Sequence, residues 1–241
     1  HYGPKGANLM VVSNLSSAEI SPKLNVFNDW SGNNSTEPSV SAFPKLATGT
    51  LYIVDKADAA QSEIRIGKRS LKYDASGEYY KSGLMNYNLG GAFNSRINLN
   101  LREDKGYTYG ARSSFRGNKL RGLFTASAAV RANATAPSII EFRKEIAHFR
   151  DNGITEDEVT FMKSAIGQRD AREYETPNQK LGFLSELVSY NLDKSFVDEQ
   201  GAILADMSSE ELNALAKKHL NLDDMITVVV GDKATLMESL K

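Results

Sequence analysis

Two alternating segments, Tyr107 to Arg116 and Leu120 to Arg131, meet across Gly117-Asn118, and no other stretch of this chain constrains its fold as tightly. Successive side chains of an extended strand point to opposite faces, and a Gly-Asn junction supplies the backbone freedom of a hairpin turn. Three shorter runs read as further strands: Asn8 to Ser13, Gly49 to Lys56 and Gln61 to Gly67. In the last two, Leu51, Ile53, Ile64 and Ile66 recur at alternating positions. A final apolar run, Thr227 to Val230, reads as a buried strand near the C-terminus.

Between and after these strands the spacing is helical. Ser16 to Asp29 is expected to hold a helix with Leu24 and Phe27 inward, confined by Pro22 to its later part. Tyr80, Leu84 and Tyr87 share a helical face until Gly90-Gly91 interrupts it. A second helix, capped at Asn94 or Ser95, runs through Ile97 and Leu101 to a stop at Gly106. Ile139, Phe142, Ile146 and Phe149 form one apolar stripe that ends at Gly153. Thr155-x-x-Glu158 and Ser208-x-x-Glu211 are capping-box patterns, and Leu181 to Leu192 follows Pro177 as another helix. Strands first, helices next and one returning strand imply an α+β fold, a two-layer sandwich with a mostly antiparallel sheet and helices packed on one face. Ser31 to Pro44, rich in Ser, Asn, Gly and Pro, is expected to be a surface loop. No shift in composition divides the 241 residues, so one domain over residues 1–241 is expected.

Composition narrows the function by exclusion. With 29 Lys+Arg against 30 Asp+Glu the charges nearly cancel, so no broad positive field invites nucleic acid or an anionic membrane. The longest apolar runs, such as Met225 to Val230, are far too short to span a bilayer. The absence of cysteine excludes disulfides, thiolate metal sites and a thiol nucleophile. The chain opens at His1 with no signal-peptide pattern, which suggests a piece of something longer.

Few residues are left to carry chemistry. The three histidines, His1, His148 and His219, are widely separated in sequence. Glu145-x-x-His148 puts a carboxylate and an imidazole on one helical face, but no partner motif supplies the further ligands a metal requires. His219 falls near a helix end, where a cation interacts favourably with the dipole. Neither a Gly-x-Ser-x-Gly elbow nor a phosphate-binding glycine loop is present. Gly90-Gly91 reads most simply as close packing at a chain turn. There remains the stretch from Leu89 to Arg112, in which Arg102 lies in the last turn of a helix and Tyr109 seven residues on, across the Gly106 corner. A guanidinium and a phenol brought together there would grip a carbonyl oxygen, or the negative charge that develops on it. On residue type alone the plainer alternative stands beside it: Arg102 satisfying helix-end carbonyls and Tyr109 half-buried in a sheet.

Leu89-Gly-Gly-x-Phe-x-Ser95-Arg96, followed by Leu101-Arg102-Glu103-x-x-Gly106-x-x-Tyr109, closely resembles the signature of the C-terminal-type domain of the pitrilysin/insulinase family of zinc peptidases. The order from Tyr2-Gly-Pro4 and the run Asn8 to Ser13 through to Val228-Val-Val230-Gly231 is similar to that domain as well. The resemblance implies an α+β sandwich, one of several homologous domains closing as a clamshell. It also implies that zinc and the general base come from another domain, through an inverted His-x-x-Glu-His motif plus a distal Glu. Arg102 and Tyr109 would contact the scissile region of a peptide substrate. No His-x-x-Glu-His occurs here, so no zinc ligand or base maps onto this chain, which is expected to hold no metal and to be inactive alone. The implied partner is a zinc-bearing N-terminal half or a separate subunit, and similarity to periplasmic members suggests the bacterial envelope. Two other readings compete. One is a non-catalytic, processing-peptidase-like structural or regulatory subunit; the other is a module that binds an extended peptide along a strand edge.

Overall fold

The computed structural model describes residues 3–32, 41, 42, 44, 47–170 and 174–239, so most of the Ser31 to Pro44 loop, and His1 and Tyr2, lie outside the described residues. Its elements run α1 Ser17–Ile20, β1 Leu51–Asp55, β2 Gln61–Ser70, α2 Glu78–Asn86, α3 Arg96–Asn98, β3 Thr108–Gly117 and β4 Gly122–Arg131. There follow α4 Thr135–Asn152, α5 Glu156–Asp170, α6 Pro177–Tyr190, α7 Phe196–Asp206, α8 Ser209–His219, β5 Ile226–Gly231 and α9 Lys233–Ser239. The chain forms two compact units, one from residues 1–43 and 166–196 and the other from residues 44–165 and 197–241.

The larger unit is built on a five-stranded sheet in the order β1-β5-β2-β4-β3. Only β1 and β5 run parallel; β5 with β2, β2 with β4 and β4 with β3 are antiparallel. The late strand β5 therefore lies between the two earliest, as long-range pairing of a buried Val-rich segment permits. Alternation assigns the faces. Ile64, Ile66, Phe124, Ala126, Val130 and Val229 are buried on one face, against Phe142, Ile146 and Phe149 of α4. The helical stripe expected from sequence thus supplies the second layer, and Gly153 closes it at φ 77°. Each fully buried Phe or Ile contributes about 1.5–3 kcal/mol, so this contact dominates the unit's stability.

The outer edge of β3 is closed by side chains instead of a sixth strand. Asn98 accepts from the Ala111 amide at 2.9 Å and donates to the Phe93 carbonyl at 2.7 Å. Asn86 donates to the Ser113 carbonyl at 2.9 Å while its oxygen accepts from the Ser113 hydroxyl at 2.5 Å. The Tyr79 hydroxyl meets the Phe115 carbonyl at 3.5 Å and the Gly117 amide at 3.3 Å. Burying Asn86 and Asn98 is tolerated because their side-chain groups are answered by these partners. Gly90 explains how the backbone comes so near: a Cβ there would lie 2.2 Å from Ser113 Oγ and 2.4 Å from its amide nitrogen.

The smaller unit holds α1, a 3-10 turn Ser21–Phe27 and α6. Thr176 and Gln179 form a reciprocal capping box for α6, and Asn191 ends it in the left-handed region at φ 54°. Phe183 stacks on Phe196 with centroids 5.8 Å apart and meets Tyr174 edge-on at 5.0 Å.

Several sequence expectations change. Asn8 to Ser13 is not a strand; Leu9 and Val11 are exposed, and no ladder partner meets them among the described residues. A short apolar run marks a segment able to pair, and pairing needs a second edge. The helix expected within Ser16 to Asp29 is one α turn followed by the 3-10 turn, with Phe27 exposed rather than inward. Gly90-Gly91 does not break its helix outright, because the chain continues as a π turn, Tyr87–Gly91. Replacing Gly90 with Ala should cost about 1–3 kcal/mol by forcing β3 and this turn apart. Chemical denaturation should reveal a lower midpoint at unchanged slope.

Candidate functional site

The helix that carries Arg102 is short and distorted. It begins after Ser95, makes one α turn as α3, then widens into a π turn, Leu99–Asp104. The Gly106 amide donates to the Arg102 carbonyl at 3.1 Å and the Tyr107 amide to the Leu101 carbonyl at 2.9 Å, with Gly106 at φ 60° as expected of a left-handed stop. Ile97 and Leu101 are fully buried and anchor one side of this helix in the core, while Arg102 stays partly open to solvent.

Arg102 does not cap the helix end. Its guanidinium lies 4.5 Å above the Phe93 ring, and Nη1 sits 3.2 Å from Glu103 Oε1 without hydrogen-bond geometry. Nη1 is buried and, beside this ion-pair contact, meets no acceptor in hydrogen-bond geometry among the described residues. Phe93 is 67% exposed, so the cation–π contact is made on a ring that solvent reaches.

Tyr109 is aimed by a β-bulge. The β3–β4 register runs Thr108 to Val130 and Ala111 to Ala128, so Tyr109 and Gly110 together oppose Ala129. Thr108 holds the bulge, its hydroxyl donating to the Ala129 carbonyl at 2.7 Å and accepting from the Gly110 amide at 3.1 Å. A bulge re-aims a side chain and sharpens the local twist. Here it leaves Tyr109 93% exposed instead of half-buried in the sheet. Arg102 and Tyr109 line one cavity of about 650 Å³ with Gln61, Glu103, Tyr107 and Arg131. Tyr109 also borders a second cavity of about 510 Å³, with Glu63, Phe93, Asn98, Arg112 and Ser127.

The neighbouring Arg96 has a different task. Its guanidinium forks onto Glu158, Nε to Oε1 at 2.7 Å and Nη2 to Oε2 at 2.6 Å, and Nη2 also donates to the Gly153 carbonyl at 2.9 Å. Glu158 closes the expected capping box as well, accepting from the Thr155 amide at 2.9 Å. Burial opposes the Glu158 charge, but the Arg96 fork and the Thr155 donors outweigh it and hold the carboxyl below its ordinary value. This pair ties the start of the Arg102 helix to the start of α5. The second expected box is half made: Ser208 accepts from the Glu211 amide, while Glu211 turns to Lys81 at 3.3 Å.

The described histidines, His148 and His219, have other partners or surroundings than a zinc ion would need. His148 is exposed, and Glu145 accepts from Asn100 at 2.7 Å, as Glu141 does at 2.8 Å. His219 is buried, with Nε2 2.6 Å from Glu78 Oε1, and Lys218 donates to Glu78 Oε2 at 2.6 Å. Burial holds His219 below its ordinary pKa despite Glu78, so Lys218, more than a charged His219, keeps the Glu78 carboxyl low. Among the described residues no three His, Cys, Asp or Glu side chains come together as ligands, and no helix is long and apolar enough to cross a membrane. His1 lies outside the described residues. Sequence reasoning missed Phe93, Asn98 and the bulge; the aromatic beside the glycine pair was the one available signal.

Residues 1–166 match the family model of the peptidase M16 inactive domain, and the chain belongs to that family. A relative in Helicobacter pylori, "Non-peptidase homolog YmxG", is 23% identical over 199 residues, covering 82% of this chain and 45% of that protein. The Bacillus subtilis "Uncharacterized zinc protease YmxG" is also 23% identical, over 75% of this chain and 43% of that protein. The fold matches the peptidase M16 inactive domain from Pseudomonas fluorescens at TM-score 0.70 and 24% identity, covering 81% of this chain and 47% of that one. It matches the periplasmic protease PqqL from Escherichia coli at TM-score 0.65 and 15% identity, over 91% of this chain and 24% of that one. The chain thus spans less than half the length of the curated relatives it matches.

The Arg96–Glu158 pair has a pH signature. A carboxyl held low in the folded state stabilises fully above its unfolded value of 4.5, and that stabilisation is lost as pH falls through the folded value. Glu158→Gln should lower stability by about 1–3 kcal/mol at neutral pH. It should also flatten the acid limb of thermal melts recorded from neutrality down to acid pH.

Proposed function

We propose that this chain is the substrate-side domain of a longer, multi-domain zinc peptidase, in which Arg102 and Tyr109 grip the scissile region of a bound peptide. One observation carries the reading. The partly open Arg102 guanidinium, stacked on Phe93, and an almost wholly exposed Tyr109 phenol line the same cavity. A carbonyl oxygen entering there would satisfy both. As negative charge grows on it during hydrolysis, donors already in place need no reorganisation, so the grip strengthens toward the transition state. The Phe93 ring beneath the guanidinium and the Thr108 bracket around the bulge hold the two donors where the sequence separates them by a corner.

The ion and the general base would come from another domain or a partner subunit, consistent with the absence of His-x-x-Glu-His here and with the zinc-protease name of the Bacillus relative. Closure of the two halves would bring them to the peptide, and the chain alone would not cut it. The likeness to a periplasmic protease supports an envelope location. The non-peptidase name of the Helicobacter relative favours a second reading, a non-catalytic subunit that uses the same groove to hold a partner.

Reconstituted with its zinc-bearing half, the wild-type chain should support hydrolysis of a neutral reporter peptide. Arg102→Ala and Tyr109→Phe should each lower kcat by about 10²–10³-fold, with a smaller change in KM. Unchanged turnover in both variants would remove the mechanistic role and leave the non-catalytic reading.

A further inference from the structure

The balance of charge over the whole chain hides an uneven surface. The sheet face opposite α4 presents Arg112 and Arg116 from β3 and Arg65 and Arg69 from β2, all four exposed. The ladder sets them in two rows: Arg65 and Arg112 both pair with Ser127, and Arg69 and Arg116 both pair with Leu123. Strand β4 runs between β2 and β3 with Leu123, Thr125, Ser127 and Ala129 facing the same way, so the floor of a trough walled by guanidinium groups is small-sided toward Ala129 and apolar at its Leu123 end. Glu63, 3.4 Å from Arg65, is the one acidic side chain that β1 to β5 send to this face. Arg112 and Arg116 have no hydrogen-bond or ion-pair partner among the described residues, whereas Arg69 donates to the Pro44 carbonyl at 2.9 Å. At one end the trough opens into the cavity shared by Tyr109, Arg112 and Ser127.

We infer that this face binds acidic peptide in extended form and leads it to the Arg102–Tyr109 groove, an inference that rests on the peptide-gripping role proposed for those two residues. The dimensions suit that occupant. The strands flanking β4 lie about 10 Å apart, roughly the width of one extended chain with its side chains. Arg112 and Arg116, four residues apart, are separated by about 13 Å along the strand, the repeat of every fourth side chain in an extended peptide. Arg presents a planar fork that matches a carboxylate, so glutamates and aspartates spaced along the peptide would each find a guanidinium wall. Nucleic acid fits less well, because the trough floor offers no aromatic ring on which a base could stack.

Fluorescence anisotropy on the 241-residue chain tests this with a labelled Ser/Ala peptide as long as the ten residues of β4, carrying interspersed glutamates. Two further peptides carry Gln or Lys at the same positions. The Glu peptide should bind at least about tenfold more tightly than the Gln peptide, and the Lys peptide should not bind; raising the salt toward 1 M should erase the preference. Equal affinity for the Glu and Gln peptides overturns the inference without any variant. The double variant Arg112→Gln/Arg116→Gln, at exposed positions, should lose the preference, while Lys144→Gln on α4, a single charge removed elsewhere, should keep it. Retention of the preference in the double variant would also overturn the inference. So would displacement of the bound Glu peptide by a single-stranded oligonucleotide as readily as by unlabelled Glu peptide, which would assign the face to nucleic acid. The two claims fail separately: acid preference is measured with no zinc half present, and the Arg102 and Tyr109 turnover test uses a neutral peptide.

Discussion

The attachment of the helical segment Glu78–Asp104 to the outer edge of β3 fixes where everything else can lie. A sheet edge left open exposes a row of unpaired amides and carbonyls, and here Asn98, Asn86 and Tyr79 answer them in turn with side-chain groups. Because these partners sit on the two helical pieces on either side of Gly90-Gly91, the same bonds that seal the edge set the position of the turn bearing Arg102. Gly90 makes the approach possible, since any larger residue would meet the Ser113 backbone. Edge sealing has a functional corollary. Between Ala111 and Gly117 this edge is not free to accept a further strand.

Upstream of that seal, the strand departs from regularity where regularity would hide Tyr109. Had Thr108 to Ala111 kept the ladder, alternation would have turned Tyr109 toward either the core or the ordered face, among neighbours. The two-against-one bulge turns it out, and the Thr108 hydroxyl replaces the lost ladder bond. Across the corner the helix widens into a π turn at Arg102, a local departure of the kind that recurs at functional sites. Each irregularity costs some stability. Their coincidence around one cavity, with the Arg102 guanidinium and the Tyr109 phenol both on its lining, is what separates this region from an ordinary helix–strand corner.

Much of this architecture was legible in the sequence, because it follows from period and punctuation. The hairpin about Gly117-Asn118, the α4 stripe, the Gly106 stop and the Thr155–Glu158 box are local patterns whose physical cause lies within a few residues. What was not legible depends on distant partners. Asn8 to Ser13 has the composition of a strand, yet a strand exists only where an edge meets it. Asn86 and Asn98 read as ordinary polar positions on a helix until β3 presents groups for them to satisfy. The bulge leaves no mark in alternation, since Tyr-Gly in a strand is compatible with either register. Arg102 and Tyr109 were found through the family signature, and their exposure, orientation and common cavity became visible only with the fold.

Charge distribution makes the same point for the surface. A count of 29 basic against 30 acidic residues argues against a uniformly positive protein, but strand alternation sorts charges by face and a count cannot. On β2 and β3 this face carries four exposed arginines, on β4 between them mostly small or apolar residues, and on β5 and β1 Val228, Val230, Tyr52 and Val54. The face therefore grades from cationic to apolar across the sheet. An extended chain lying along β4 would keep one flank against guanidinium groups from each neighbouring strand, while the apolar margin at β5 and β1 remains beyond the β2 wall. With its far end at Tyr109, such a path would deliver backbone carbonyls, the one feature every peptide shares, to the two donors that the bulge and the π turn hold ready.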